Sequence, residues 1–304
     1  MLAVRQELLE YNDINIETRY QNFDPSVTYG YGDVTFYDHY YYKSVIDGNV
    51  GNNPWDSPTL WLRWSISNRY AQIDLRATTE TVWNVDTAIS INDDALVCSY
   101  QNNNYATISF GNITGTSVLV ELLDGATVVW SSEKIIPIRS GANTWYNFYY
   151  DSFDRQGVKA AAYFQLPTSF GTTIRTTITA YNGTAACGYC VAGFDRWLGD
   201  TLFGLSMGLD DYSLITIDDW GIKSIQKRNV SRFMDIDVDF PSGQLMEMMY
   251  IASDLHGDIV LFIGDESADS QFDNLFLLGY IENYTTVLPD PVITKGSFSI
   301  REVI

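Results

Sequence analysis

Adjacent carboxylates are the first residues of this chain whose types and spacing suggest catalysis. They occur as Asp93-Asp94, Asp210-Asp211 and Asp218-Asp219, each in a turn-like setting. Glycoside hydrolysis needs two carboxyl groups that flank one bond. Because neighbours on a strand point to opposite faces, adjacent pairs give poor geometry for that role. The acidic stretch 265 to 269 lacks the alternate spacing and the glycine of an EF-hand loop. We therefore expect no catalytic pair and no metal site.

Histidine and cysteine chemistry is also sparse. His39 lies beside Asp38, but no G-x-S-x-G turn accompanies the pair, so a surface histidine is expected. Cys187 and Cys190 have the spacing of a redox pair, yet no βαβ pattern surrounds them and no second pair completes a zinc site. Reduced structural thiols are the main expectation, and a disulfide or redox role is the alternative. Phosphate-binding glycine motifs are absent from the sequence, so no cofactor is predicted.

The remaining chemistry is recognition by aromatic rings, which cluster between residues 29 and 64. Sugars present apolar C–H faces with polar rims, so flat rings beside amide and carboxyl groups form their usual platform. A segment this small must also bury some rings as its own core. We expect Trp61 and Tyr42 to be buried and Trp55 to be exposed. The candidate carbohydrate-binding residues are Trp55, Tyr37, Tyr40, Trp64, Asn52 and Asp56.

The same segment carries its residues in a recognisable order. Gly32-Asp33-Val34 is followed by aromatic residues, by Tyr42-Lys43-Ser44, and by a loop rich in asparagine that ends at Pro54 and Trp55. This order resembles the small carbohydrate-binding modules of chitinases and cellulases, which also occur within tail proteins of tailed bacteriophages. The resemblance covers residues 29 to 66 of the 304. It implies a small β module that binds a polysaccharide.

The composition of the whole chain argues against several classes of function. Hydrophobic residues make up 46% and charged residues 18%, as in a folded protein, and 14% aromatic residues favour strands. The formal charge of −20 repels phosphate backbones, so nucleic-acid binding is disfavoured. Residues 1 to 10 do not read as a secretory signal, because residues 5 to 7 interrupt the apolar run. No apolar window is long enough to cross a bilayer, so no membrane insertion is expected.

Short strands separated by turn residues must position these groups. Their spacing and turn signals such as Asp124-Gly125 and Asn182-Gly183 indicate a jelly-roll-like β-sandwich. At the N-terminus, residues 4 to 9 predict one short amphipathic turn of helix at best. The strands expected in the sandwich are 88–91, 105–110, 117–122, 127–130, 161–166 and 173–179.

The last third of the chain has a different pattern. Residues 198 to 213 read as a connector, and residues 231 to 240 alternate as a strand. Ser242 can cap a helix that runs to Leu255, with Gly257 just beyond it. Three further strands complete an α+β domain. The sequence thus predicts a mainly β fold in four segments: 1–28 as an N-terminal docking segment, 29–66 as the carbohydrate-binding-like module, 67–209 as the β-sandwich and 210–304 as the α+β domain.

The order of these segments resembles the tail-tip or baseplate proteins of tailed bacteriophages. Leu198-Gly199-Asp200-Thr201 in the connector and the C-terminal stretch 277 to 304 add to the resemblance. It implies a non-enzymatic structural protein of the virion tail, made in the host cytoplasm. Its implied partners are other tail or baseplate proteins, copies of itself in a homo-oligomeric ring, and host surface glycans. One alternative is a polysaccharide-degrading enzyme with an N-terminal targeting module. Another is a module that is purely architectural, with its rings buried against neighbours.

Overall fold

The computed structural model describes residues 1–7, 9–16, 18–84, 94–136, 160–167, 171–218, 220–264, 275–289 and 291–303, with the side chain of residue 12 excepted. The fold is mainly β, as predicted, and the described helical structure is short. Four sequence-based expectations lie outside the described residues: the strand at 88–91, the partners Asp93 and Asp219 of two acidic pairs, and the acidic stretch 265 to 269.

The strands follow one another along the chain as β1 (Leu2–Gln6), β2 (Tyr11–Ile14), β3 (Val34–Tyr37), β4 (Tyr40–Ser44), β5 (Trp61–Ile66), β6 (Thr81–Trp83), β7 (Ala95–Gln101), β8 (Thr107–Ile113), β9 (Ser117–Asp124), β10 (Thr127–Ile135), β11 (Ala160–Gln165), β12 (Thr173–Thr179), β13 (Ala185–Cys187), β14 (Tyr189–Trp197), β15 (Asp200–Thr201), β16 (Ser206–Asp211), β17 (Leu214–Ile217), β18 (Lys223–Gln226), β19 (Val230–Pro241), β20 (Val260–Ile263), β21 (Phe276–Val287) and β22 (Ile293–Glu302). Helix α1 spans Leu245–Asp254, and 3-10 turns span Ala71–Ile73 and Ser242–Gln244.

A ten-stranded antiparallel sheet forms the frame of the molecule. Its order is β11-β8-β14-β1-β20-β21-β22-β19-β15, and β16 also pairs with β19. Strands from the expected sandwich and from the expected α+β domain therefore lie in one continuous sheet. The division of the chain into four segments stays a prediction, but hydrogen bonding continues across the expected boundary at residue 209 through β1.

Strand β1 corrects the expectation of a helical turn at the N-terminus. It pairs with β14 on one side and β20 on the other, and Ala3 and Val4 are completely buried. Ala3 faces one core cluster while Leu2 and Val4 face another. A strand buried on both faces is apolar without alternation, so its pattern does not distinguish it from a helix. Residues 2 to 4 are thus buried within this chain, and the docking role of the wider segment 1–28 stays a prediction.

The predicted sandwich is formed by two sheets that share one core. A five-stranded sheet, β10-β9-β12-β7-β2, packs against the β11-β8-β14 end of the larger sheet. Leu96, Val118 and Ile174 from the smaller sheet meet Ile108 and Phe164 from the larger one, and all are buried. Burial of such side chains contributes roughly 1.5–3 kcal/mol each relative to exposure. The jelly-roll connection stays a prediction.

The predicted C-terminal helix is present as α1, and Met248 and Ala252 bury one side of it against the larger sheet. Ser242 does not cap it: the helix begins after a 3-10 turn without a side-chain cap, and the Ser242 hydroxyl accepts a bond from Thr294 Oγ1 at 2.9 Å. The connector expected at 198 to 213 is instead strand, in β15 and β16. A hairpin of β17 and β18, which the sequence analysis missed, follows it.

Candidate ligand-binding cleft

The residues with the clearest recognition chemistry lie on and around the small sheet β3-β4-β5. Its register places Tyr37 opposite Tyr40, and Tyr42 opposite Arg63, on one face. Tyr42 and Trp61 are only 3% and 2% exposed and pack there with Tyr29, which confirms that the module uses these two rings as its core. The opposite face carries a second aromatic layer, in which Tyr41 meets Tyr20 and Phe36 edge to face.

The asparagine-rich loop after β4 is held by its own side chains. Asn49 is buried, and its Oδ1 accepts a hydrogen bond from Asn52 Nδ2 at 2.8 Å. The carbonyl of Asn52 accepts the indole N–H of Trp61 at 2.9 Å. Asn53 donates to the Tyr37 hydroxyl at 2.9 Å and accepts from the backbone N–H of Trp55 at 2.9 Å. The loop is therefore fixed to the module core, and it leaves the Trp55 ring 61% exposed, as expected from the sequence.

Trp64 is exposed because of a bulge in strand β5. The register of β4 against β5 shifts between Tyr41 and Tyr42, whose partners are Ser65 and Arg63, so Trp64 is the extra residue of a β-bulge. Bulges re-aim side chains, and this one leaves the indole 53% exposed. Its ring lies 6.3 Å from that of Tyr20. Trp64 therefore belongs to the second aromatic layer, away from the loop that carries Trp55.

A cleft of about 1120 Å³ opens where the module meets the 3-10 turn Ala71–Ile73 and strand β6. Its floor is joined to the sandwich by Gln72, whose amide donates to the hydroxyls of Tyr11 and Tyr100 at 2.5 and 2.6 Å. The cleft is lined by Thr18, Arg19, Tyr40, Tyr41, Arg63, Trp64, Ser65, Ile66, Asn68, Ala71, Asp74, Arg76, Thr79, Glu80 and Val82.

The structure brings together only part of the predicted sugar site. Tyr40 and Trp64 line the cleft. The other four predicted residues lie outside the cleft. Two of these form hydrogen bonds with the loop: Asn52 donates to Asn49, and the Tyr37 hydroxyl accepts from Asn53. The remaining two, Trp55 and Asp56, are exposed on the loop. The single site predicted from the sequence is thus divided between a cleft and a separate loop.

Three arginines complete the cleft and were missed by the sequence analysis. The guanidinium of Arg63 lies 4.8 Å from the centre of the Tyr40 ring, and that of Arg19 lies 5.5 Å from the Tyr20 ring. Arg76 also lines the cleft. The signal for Arg63 was present, since it lies between Trp61 and Trp64 on a predicted ligand-binding segment.

Asp74 is the carboxylate of the cleft whose pKa shift and hydrogen bonds are both defined by the structure. Burial raises the pKa of Asp74, and hydrogen bonds from Thr79 and from the backbone N–H of Arg76 oppose that shift. Both carboxylate oxygens accept from Thr79 Oγ1 at 2.8 Å, and Oδ1 also accepts from Arg76 N at 2.9 Å. This carboxylate is therefore a structural acceptor in its own turn.

The groups considered for catalysis are engaged elsewhere where the structure describes them. Asp210 Oδ2 accepts from Arg301 Nη1 at 3.0 Å, and Asp211 Oδ1 accepts from the backbone N–H of Ser213 at 2.8 Å. His39 is exposed, with its ring centre 4.1 Å from that of Tyr70. These residues do not converge on the cleft.

The three cysteines are buried free thiols, which confirms the main expectation for Cys187 and Cys190. Burial raises the pKa of both, and it raises the pKa of Cys98 to about 12. A thiol with so high a pKa is inert as a nucleophile at neutral pH.

Among the residues that the structure describes, no group of three or more histidine, cysteine, aspartate or glutamate side chains is arranged to hold a metal ion. Within the same ranges, no helix combines the length and the apolar content needed to span a bilayer. The chain matches no protein-family model and no curated protein.

Proposed function

We propose that this chain is a non-enzymatic structural protein of a phage tail tip or baseplate, which assembles with copies of itself and contacts polysaccharide on the host surface. The observation that carries the assembly part is the hairpin of β17 and β18. All eight residues of its two strands are exposed. The two strands form a sheet of their own.

The register makes this hairpin amphipathic. Ile215 lies opposite Ile225, and Ile217 opposite Lys223, so these four side chains share one face. The other face carries the pairs Leu214–Gln226 and Thr216–Ser224 and is mainly polar. Ile215, Ile217 and Ile225 are 57%, 62% and 67% exposed. An alternating pattern of this kind is typical of a strand pair with one covered face.

The turn at the hairpin tip is held in one conformation. The Asp218 carboxylate accepts from the backbone N–H groups of Trp220 and Ile222 at 3.0 and 2.7 Å. Gly221 adopts a left-handed φ of 77°, and its N–H bonds to the Asp218 carbonyl at 2.9 Å. Trp220 is 88% exposed on this turn. Exposed tryptophan side chains are common anchor residues in interfaces.

Physical chemistry favours a covered state for such an element. An isolated two-stranded hairpin is at best marginally stable in water, and soluble monomers rarely expose large contiguous apolar patches. Residues 214 to 226 carry one lysine and two aspartates, a charge of −1 in a chain of −20, so charge does not select the occupant of this face. The isoleucine pairs make the face apolar, and an apolar face can be covered by the same face of a second copy of the chain.

The glycan part of the proposal is supported by the exposed rings of Trp55 and Trp64 in the module. Its assignment to a virion tail rests on the sequence resemblance. Asp210 and Asp211 form hydrogen bonds with different partners, Arg301 and Ser213. This arrangement does not favour the alternative of a polysaccharide-degrading enzyme, which needs two carboxylates that face one bond.

The assembly is tested by light scattering coupled to size exclusion. We expect the wild type to elute at a multiple of 34.4 kDa. The double variant Ile215→Asp/Ile225→Asp should fall to the monomer mass, because it places charges on the apolar face. The matched control Thr216→Asp/Ser224→Asp adds the same charge to the polar face and should keep the wild-type mass. A monomeric wild type, or equal behaviour of the two double variants, contradicts the proposed assembly.

The non-enzymatic part has its own measurement. Reducing ends released from a panel of bacterial polysaccharides should stay at the level of a buffer control. Release that depends on the protein and grows with time would favour the enzyme.

A further inference from the structure

The cleft between the module and the sandwich has a charge that differs from that of the whole protein. The chain has 18 basic residues against 38 acidic residues. Three of those basic residues, Arg19, Arg63 and Arg76, line this cleft, against the two carboxylates of Asp74 and Glu80. Among the residues that the structure describes, the lining therefore carries one more positive than negative side chain, in a protein whose formal charge is −20. A concave site of one sign concentrates ligands of the opposite sign.

Arginines in the rest of the structure are mostly paired. Arg5, Arg175, Arg196, Arg232 and Arg301 each form an ion pair with a carboxylate. By contrast, none of the three cleft arginines has a carboxylate within ion-pair distance among the residues that the structure describes. The charge of Arg76 helps to lower the pKa of Asp74, but the oxygens of Asp74 accept from Thr79 and from the backbone N–H of Arg76, and no described guanidinium lies within ion-pair distance of them. The guanidinium groups are therefore available to an anionic ligand.

Aromatic side chains hold two of these arginines in place. Arg63 lies over the Tyr40 ring, which limits the freedom of its guanidinium. Arg19 lies over the ring of Tyr20, which in turn contacts the indole of Trp64. A guanidinium fork that is fixed in this way binds carboxylate or phosphate with little loss of side-chain entropy.

The lining of the cleft also offers a flat ring. Trp64 is 53% exposed on its bulge and borders the cleft together with the hydroxyls of Thr18 and Ser65. An indole face suits the apolar C–H face of a sugar ring, and hydroxyls suit its polar rim. A simple anion would need only the arginines, whereas a sugar that carries a negative group uses both features.

We propose that this cleft binds an acidic saccharide, with a sugar ring on Trp64 and its carboxylate, phosphate or sulfate group on Arg63 and its two neighbouring arginines. The inference rests on the glycan-contact part of the proposed function and specifies its ligand class. Single-stranded nucleic acid also combines anions with flat rings. The lining favours a saccharide over that partner, because it combines the indole of Trp64 with the hydroxyl-bearing residues Thr18 and Ser65, which suit the rim of a sugar ring.

The test measures binding of defined probes to the full chain by calorimetry. The probes are an oligogalacturonate for carboxylates, an oligomeric dextran sulfate for sulfates, teichoic acid for phosphates, neutral dextran, and an oligothymidylate. We expect at least one acidic saccharide to bind more tightly than dextran and oligothymidylate, and high salt to weaken it. The acidic probe that binds identifies the anionic group.

Single substitutions locate the site. Arg63→Gln, Arg19→Gln and Arg76→Gln should each weaken the acidic probe, by about tenfold for Arg63, because a hydrogen bond to a charged group is lost. Arg175→Gln is the matched control: it removes the same charge from an arginine that is paired with Glu121 on the five-stranded sheet. It should leave binding unchanged. Because Arg63 also packs on Tyr40, thermal unfolding is measured for every variant. If Arg63→Gln fails to fold, the binding constants of Arg19→Gln and Arg76→Gln decide the test.

The outcomes separate this inference from the proposed function. Binding of dextran as tight as that of every acidic probe overturns the inference but leaves glycan contact in place. Equal losses in Arg175→Gln and the cleft variants also overturn it, since the effect then follows net charge and not the cleft. If oligothymidylate binds more tightly than every saccharide, the ligand of the cleft is single-stranded nucleic acid and the inference is overturned. Absence of binding to all saccharides removes both the inference and the glycan part of the function, while the mass of the assembly is unaffected.

Discussion

Replacement of Gln72 by leucine tests how the floor of the cleft is held. Gln72 is 1% exposed, and its Nε2 donates to the hydroxyls of Tyr11 and Tyr100 at 2.5 and 2.6 Å. The two tyrosine rings stack with their centres 5.0 Å apart, and Tyr100 is completely buried. The hydrogen bond from Gln72 lowers a pKa of Tyr11 that burial otherwise raises. The amide is thus the polar link between the 3-10 turn and the sandwich core.

Leucine has a similar volume but removes the hydrogen bonds to the two tyrosine hydroxyls and the one to Cys98 Sγ at 3.2 Å. A buried polar group that loses its partner costs about 1–3 kcal/mol, and the Tyr100 hydroxyl lies deeper than that of Tyr11. We expect Gln72→Leu to lower the free energy of unfolding by about 2–4 kcal/mol. The shift should appear in the urea midpoint with an unchanged m-value, since the surface exposed on unfolding stays the same.

Gln101→Leu is the matched control, because Gln101 is exposed at the end of β7. Its effect should remain within about 0.5 kcal/mol, as for most surface substitutions. Urea unfolding followed by tryptophan fluorescence measures both variants. If Gln72→Leu shifts the midpoint no more than Gln101→Leu does, the buried amide does not hold the cleft floor and the reasoning is refuted.

Three further predictions concern strand packing, the module core and the thiols. A Cβ at Gly193 would lie 2.1 Å from the carbonyl oxygen of Arg5, so Gly193→Ala should force β1 and β14 apart and lower stability by about 1–3 kcal/mol in thermal unfolding; unchanged stability would contradict the central place of β1. Trp61→Ala should cost about 3–5 kcal/mol in chemical unfolding, because the ring is 2% exposed, whereas Trp55→Ala should cost less than about 0.5 kcal/mol, because that ring is 61% exposed; similar losses in the two variants would refute the assignment of core and surface. Cys98 has a pKa of about 12 and is 2% exposed, so an aromatic disulfide reagent at mildly alkaline pH should release no colour from the native protein and full colour after denaturation; rapid reaction of native protein would show that the core opens.

Local patterns predicted the elements whose burial follows directly from their type and position. Trp61 begins a strand and is core, while Trp55 follows Pro54 in a polar loop and is exposed. Helix α1 was predicted from apolar residues at helical spacing and from the glycine that follows it. These features depend on a few neighbouring residues, so the sequence alone contained the necessary information.

Features that depend on distant pairing were predicted poorly. Strand β1 lies between β14 and β20, which both come much later in the chain, and its apolar run has no alternation to reveal a strand. Arg19, Arg63 and Arg76 come from separate parts of the sequence and meet only because the module packs on the 3-10 turn. The bulge that exposes Trp64 is a property of the β4–β5 register and not of the residue itself. Tertiary contacts, and not local propensity, decide these three features.

The central claim is that the apolar face of the β17–β18 hairpin is covered by another copy of the chain, and hydrogen exchange tests it most directly. The measurement follows the amides of residues 214 to 226 by mass spectrometry at high and low protein concentration. Covering of the apolar face predicts slow exchange at high concentration and faster exchange on dilution or in Ile215→Asp/Ile225→Asp. Fast exchange of these amides at every concentration, equal to that of the double variant, would contradict the claim.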